Sequence, residues 1–146
     1  MVDASTLVEQ ARLDGIDRLV VGVIVQVGDR VLLLERPAGD FLGGLYELPG
    51  GEVEAGEDLQ TAAARELLEE TGLVAIQVEE YLGHFDYPSA EGRLTRQFNF
   101  RISLQTSNPV KLGEHNEYRW ADRAELAGLP VSAEVRALLE KALPGN

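Results

Sequence analysis

Residues 51–73, GEVEAGEDLQTAAARELLEETGL, carry seven acids (Glu52, Glu54, Glu57, Asp58, Glu66, Glu69, Glu70) and one base, Arg65. Seven negative charges against one positive give −6, half of the chain's net −12, within 23 of its 146 residues. The segment reads as a helix over Asp58 to Glu70, with Leu59, Ala63 and Leu67 as the buried stripe and Gly72 as its stop. On such a helix, positions three and four apart are neighbours, so Glu66, Glu69 and Glu70 crowd one another. Each like-charge pair costs roughly 0.2–0.5 kcal/mol. Arg65 to Glu69, at i, i+4, offers relief, and no lysine occurs before Lys111. Glycines bracket the helix (Gly50, Gly51, Gly56 and Gly72), and carboxylates grouped beside a glycine-rich loop make an all-oxygen environment. That environment suits a hard cation such as Mg²⁺.

The length predicts one domain over residues 1–146, with residues 1–16 as an N-terminal segment. No run of 18 apolar residues is present, so no membrane span is expected. The first 15 residues lack a basic region followed by an apolar stretch, which argues against a secretory signal. The chain has no cysteine, and a cytoplasmic location is the expectation. The strong negative balance argues against a nucleic-acid polymer as partner. It is compatible with a small anionic substrate that arrives with its metal.

The remaining sequence predicts an alternating α+β chain without internal repeats. Thr6 and Glu9 fit a capping box for a short helix over 6–13. Aliphatic runs at 18–27 and 30–35 meet at Gly28-Asp29 as a hairpin. Arg36 to Gly44 reads as a loop, and Tyr46 to Leu48 as a short strand that delivers a Gly50-Gly51 turn. Residues 74–87 and 95–104 read as an antiparallel pair around the turn Pro88 to Gly92. A strand over Glu117 to Ala121, a helical turn near Arg123 to Ala127 and a terminal helix over Ser132 to Leu143 complete the chain. Together they predict a mixed sheet with the acidic helix on one face and the terminal helix on the other.

The acidic stretch resembles the signature of the Nudix hydrolases, G-x5-E-x7-R-E-U-x-E-E-x-G-U, where U is aliphatic. Gly51, Glu57, Arg65, Glu66, Leu67, Glu69, Glu70, Gly72 and Leu73 match it without departure. Seven fixed identities at roughly 5–10% background frequency each make a chance match remote. The approach Leu48-Pro49-Gly50-Gly51 also fits, as does the acid-rich segment from Glu114 that ends at Trp120. The resemblance implies an α/β/α sandwich with a mixed central sheet.

It also implies a chemistry. A pyrophosphate linkage is polyanionic, so attack by water needs charge neutralisation and an activated nucleophile, both of which a divalent metal supplies. By resemblance, Glu66, Glu69 and Glu70 hold Mg²⁺, with Mn²⁺ as an alternative, and the Gly50 carbonyl is a further ligand. Glu57 and Gly51 support the site, and Arg65 orients the acids through charge-assisted hydrogen bonds. The general base is Glu69 or Glu114. Arg36, 14 positions before Gly50, sits where MutT-type members carry a substrate-contacting arginine. Arg96 and Arg101 read as sheet surface before phosphate ligands, His84 and His115 as structural, and Trp120 and Phe85 as core.

Chain length, Arg36 and Glu114 favour a small nucleotide as substrate, in the manner of a MutT-like (d)NTP pyrophosphohydrolase that releases a nucleoside monophosphate and pyrophosphate. Pro88, 15 residues after Leu73, lies near a proline of ADP-ribose pyrophosphatases, but reads first as a hairpin-turn proline. ADP-ribose or a nucleotide sugar is therefore the alternative. A non-catalytic nucleotide-binding module is a third reading. Such modules usually replace box glutamates, and here none is replaced. Homodimers are common among similar proteins, and a homodimer is the assembly the resemblance suggests.

Overall fold

A computed structural model of the chain describes residues 3–39, 43–104 and 109–143. In order, the elements are α1 (Ala4–Leu13), β1 (Arg18–Val27), β2 (Arg30–Glu35), β3 (Tyr46–Glu47), β4 (Gly50–Glu52) and α2 (Leu59–Thr71). They continue as β5 (Glu80–Pro88), β6 (Leu94–Ser103), β7 (Glu117–Ala121), α3 (Arg123–Leu126) and α4 (Ala133–Ala142).

The strands form one mixed sheet of seven, ordered β3-β2-β1-β6-β5, with β4 paired to β1 and β7 to β2. Strands β1 and β6 run parallel along their length, from Arg18–Thr95 to Gln26–Ser103, while every other pair is antiparallel. Central β1 is apolar on both sides (RLVVGVIVQV), which a strand covered on two faces requires. Val21, Val23 and Val25 pack with Phe98, Phe100 and Leu59, Ala63 and Leu67 of α2 in one cluster. Ile24, Val31 and Leu33 pack with Leu126, Val135 and Leu139 in the other. The acidic helix and the terminal helix therefore cover opposite faces, as the sequence predicts. Among the described residues, no helix is long and apolar enough to cross a membrane.

Local differences from the sequence reading have physical causes. Helix α1 begins at Ala4 because the Asp3 carboxylate accepts the Ser5 N–H at 2.9 Å. The cap therefore lies three residues before Thr6. Residues 74–78 do not pair although they read as strand, and the bonding to β6 begins with Glu79 N–H to Arg101 O at 3.0 Å. Strand β6 ends at Ser103, so this apolar run has no partner, and Val74 and Ile76 are 68% and 98% exposed. The Gly50-Gly51 turn proves to be strand β4, aligned on Val20 to Gly22 of β1. The expected loop from Arg36 is closed at both described ends by Arg36 N–H to Leu45 O and Gly44 N–H to Arg36 O. Its residues 40–42 lie outside the described ones. Helix α2 starts at Leu59 behind Asp58, whose carboxylate accepts the Thr61 N–H at 2.7 Å. It ends on Gly72 at φ 73°, a left-handed cap that glycine takes without steric cost.

Of the two glycines of β4, Gly50 leaves room for the β1 backbone and Gly51 leaves room for α2. A Cβ on Gly50 would sit 2.0 Å from the Val21 carbonyl oxygen, and one on Gly51 would sit 2.4 Å from the Glu66 carboxylate. The first obstacle is backbone and cannot yield. The second is the end of a flexible side chain. Gly50→Ala is therefore expected to lower the unfolding free energy by roughly 3 kcal/mol, the upper range of overpacking costs, read as a lower denaturation midpoint. Gly51→Ala is expected to keep most of that stability and lose activity instead, because it displaces Glu66.

Candidate active site

Arg65 is the hub of the acid cluster. Its guanidinium grips Glu57 through two bonds, Nε to Oε2 at 2.7 Å and Nη2 to Oε1 at 2.9 Å. Its Nη1 donates to Glu66 at 2.8 Å and to both oxygens of Glu69 at 3.3 Å, and its Nη2 also reaches the Glu52 carbonyl at 3.1 Å. Sequence spacing singled out Glu69 as its partner. The shorter bonds go to Glu57, eight residues upstream, and to the adjacent Glu66. A turn through Gly56, at φ 79°, brings Glu57 back beside Arg65, a return that helical spacing cannot reveal. The Arg65 pair holds the Glu57 carboxyl down at about 2 and raises the Arg65 pKa.

Glu70 has no such relief. It is half-buried and accepts the Gly50 N–H at 2.8 Å. Burial pushes its pKa up to about 7, against the lowering effect of that bond and of nearby His115. Burial also raises Glu66, against the pull of Arg65. Two carboxylates of one turn are thus held where negative charge is unfavourable, which is the electrostatic state a bound cation relieves.

In this side-chain arrangement no three acidic or histidine groups converge to enclose a metal, among the described residues. Glu66 faces Arg65 and Glu70 faces the Gly50 amide. The donors themselves are all oxygen, partly desolvated and short of positive charge, so their chemistry fits a hard divalent cation.

Glu70 forms part of a cleft wall with Gly50, Gly51, Arg36 and Glu114, in a cavity of about 230 Å³. Glu114 comes from far along the chain because its segment is tied to the end of α2. Lys111 N–H donates to Thr71 O at 2.8 Å and Gly113 N–H to Glu70 O at 3.3 Å. Glu66 and Glu69 do not line this cavity. A second cavity of about 640 Å³ adjoins it, bounded by Phe85, the Pro88 turn and the start of α4. The two share Arg18, Arg36, Glu47, Leu48, Tyr87 and Gln97.

Glu47, Arg18, Tyr87 and Gln97 were not singled out by sequence. Glu47 binds Arg36 at 3.0 Å through one oxygen and His115 Nε2 at 2.7 Å through the other. His115 was expected to be structural. It is 8% exposed in its side chain, lines the cleft, and its Nδ1 is buried without a partner among the described residues. Burial alone would lower its pKa, but the Glu47 bond and the charges of Glu70 and Glu47 outweigh this and raise it. The only advance signal for Glu47 was its place in the Glu47-Leu48-Pro49-Gly50-Gly51 approach.

Arg96 is neutralised by a two-bond pair to Asp86 (2.8 and 3.0 Å) and one bond to Asp14 (2.9 Å), which ties the end of α1 to the sheet. Arg101 pairs with Glu80 and Gln26. Neither lines the cleft. Trp120 packs against the first core cluster, whereas Phe85 both packs against the second and lines the larger cavity. Exposed His84 bonds Tyr81 at 3.2 Å.

An acid-rich helix lies over a glycine strand, beside a cleft lined by Arg18 and Arg36. The class of protein that carries this arrangement is the pyrophosphate-cleaving hydrolases, as the likenesses to known proteins show. The chain matches the NUDIX domain over residues 17–141. It is 30% identical over 121 residues to the CTP pyrophosphohydrolase of Escherichia coli, covering 83% of this chain and 87% of that one. It is 37% identical over 110 residues to the putative 8-oxo-dGTP diphosphatase 2 of Mycobacterium tuberculosis, covering 74% of each. The crystal structure of the MutT protein from Methanosarcina mazei superposes with a TM-score of 0.75 at 26% identity, covering 85% of this chain and 91% of that one. The chain belongs to the Nudix hydrolase family.

Proposed function

We propose that the protein is a Mg²⁺-dependent nucleotide pyrophosphohydrolase that converts a (d)NTP to the nucleoside monophosphate and pyrophosphate. The observation that carries this reading is the placement of Glu70, half-buried and without a cationic partner of the kind Arg65 gives Glu57, in the same cleft that Arg36 lines. The likeness to proteins named for CTP and 8-oxo-dGTP supports a nucleoside triphosphate.

Glu66, Glu69 and Glu70 would hold the cation, together with the Gly50 carbonyl. When bound, Mg²⁺ supplies neutralisation of phosphate charge and makes water a stronger acid. Arg65 keeps Glu66 and Glu69 oriented through the bonds described above. Arg36, braced by Glu47, meets the phosphate chain. Water attacks a phosphorus, its proton passes to a carboxylate, and the P–O–P bond breaks with the electron pair leaving on the bridging oxygen. Glu69 and Glu114 are the two candidate acceptors, and the place of Glu114 in the cleft wall supports it. Replacing the true base by Gln is expected to remove the acid limb of the kcat–pH profile and lower kcat by roughly 10²–10⁴-fold.

The test is a panel of unmodified and oxidised (d)NTPs, ADP-ribose, nucleotide sugars and dinucleoside polyphosphates, assayed with Mg²⁺ and with chelator. Mg²⁺-dependent pyrophosphate from a triphosphate is expected. Turnover confined to ADP-ribose or a sugar nucleotide would replace the triphosphate reading with the alternative.

A further inference from the structure

A pair of amide side chains stands at the floor of the cleft, on the face of β6 that also carries Thr95 and Arg101 and lies opposite Phe98, Phe100 and Ile102 of the core. Gln97 of β6 lies opposite Val20 of β1 on one side and Phe85 of β5 on the other. It lines both cavities. Asn99, two residues on along the same strand, is fully buried. Gly22 of β1, opposite Asn99, leaves the room the pair occupies. A Cβ there would lie 2.4 Å from Gln97 Nε2 and 2.6 Å from Asn99 Oδ1.

The hydrogen bonds fix the sense of both amides. Asn99 Nδ2 donates to the carbonyls of Gly83 (3.1 Å) and Gln97 (3.4 Å). Carbonyls only accept, so the Asn99 amide cannot be turned round. Its Oδ1 must then face Gln97, and it accepts Gln97 Nε2–H at 2.9 Å. Gln97 therefore keeps one amide N–H and its Oε1, which no protein group among the described residues engages. A leucine would cover this floor without the desolvation cost of two amides.

Beside this edge lie two aromatic rings. Phe85 and Tyr87 of β5 line the larger cavity with centroids 6.0 Å apart and planes tilted by 45°. An aromatic ring face next to a donor–acceptor edge of fixed sense matches the polarity of a nucleobase, whose face stacks and whose rim carries adjacent donors and acceptors. The phosphates of such a ligand would extend past Arg36 toward Glu70 in the adjoining cavity.

We propose that Gln97, held in one orientation by Asn99, reads the nucleobase edge and sets base preference, with Phe85 and Tyr87 against the base face. Asn99 is a positioning residue. This rests on the nucleotide reading above and goes further by locating the group that selects among nucleotides.

The test measures the dissociation constants of the four nucleoside monophosphates of adenine, guanine, cytosine and uracil for the wild type, Gln97→Met and Gln97→Glu, with triphosphate turnover in parallel. The wild type is expected to favour one base. Gln97→Met, similar in shape but without the edge, is expected to weaken that base by roughly tenfold and level the ranking. Gln97→Glu, which exchanges the donor for an acceptor, is expected to reorder it. Asn99→Ala is expected to raise KM for the preferred triphosphate while kcat stays within about threefold, a split that loss of folded protein would not produce. Equal binding of all four bases by the wild type, or an unchanged ranking in Gln97→Met, would overturn the proposal. Turnover with an unchanged ranking would refute this reading alone. An altered ranking without any turnover would refute the hydrolase reading and leave this one standing.

Discussion

Glu70→Gln is expected to make the metal-free protein more stable at pH 8 while cutting turnover by roughly 10³-fold, the equivalent of several kcal/mol of lost transition-state stabilisation. Both effects come from one buried carboxylate. In the fold, its pKa rises from 4.5 to about 7, so the folded state binds the proton more tightly than the unfolded chain does. Stability therefore falls as pH rises through the window from 4.5 to about 7, and levels off above it. The shift corresponds to at most about 3 kcal/mol. A glutamine can still accept the Gly50 N–H but has no charge to bury, so the variant should lose this slope. Melting curves in chelator at pH 5 and pH 8 check it. Added Mg²⁺ should then recover wild-type stability at pH 8 and leave the variant little changed. A variant that melts below the wild type at pH 8 would mean that Glu70 serves the fold rather than the cation.

Arg65→Met is the second large effect, with the opposite sign on stability. The substitution removes the one guanidinium that Glu57, Glu66 and Glu69 share, and leaves the side chains of Glu57 and Glu66, 10% and 13% exposed, without their partner. Removing one member of a desolvated pair costs far more than the pair's net worth. A fall in melting temperature of roughly 5–10 °C is expected, with activity lower by about 10–100-fold, as for groups that orient metal ligands. Arg65→Lys keeps the charge but cannot make the forked contact to Glu57, so it should recover part of the stability and little of the activity. Equal melting temperatures for wild type and Arg65→Met would contradict the hub role.

Much of this was legible in the chain, and the boundary is physical. Helix α2 announced itself through Leu59, Ala63 and Leu67 at helical spacing, Asp58 ahead and Gly72 behind, because those signals are local. The hairpin at Gly28-Asp29 and the aliphatic β1 were legible for the same reason. Strand β4 was not. Gly50 and Gly51 have no strand propensity, and they pair because only they fit between β1 and the Glu66 carboxylate. The run from Val74 misled in the other direction, since apolar residues without a partner strand do not make one. The acids were found by spacing, but the cleft joins Glu47, Gln97 and His115 from three separate segments. Their meeting depends on sheet register and on the tie between residues 111–113 and the end of α2, which no short pattern encodes.

The most direct measurement of the central claim is hydrolysis of CTP and dGTP in ¹⁸O-labelled water, followed by ³¹P NMR with Mg²⁺ and with chelator. The expected result is one nucleoside monophosphate and one pyrophosphate per turnover, a single ¹⁸O attached to phosphorus, and no reaction in chelator. Orthophosphate with a nucleoside diphosphate, or turnover that persists without metal, would contradict it.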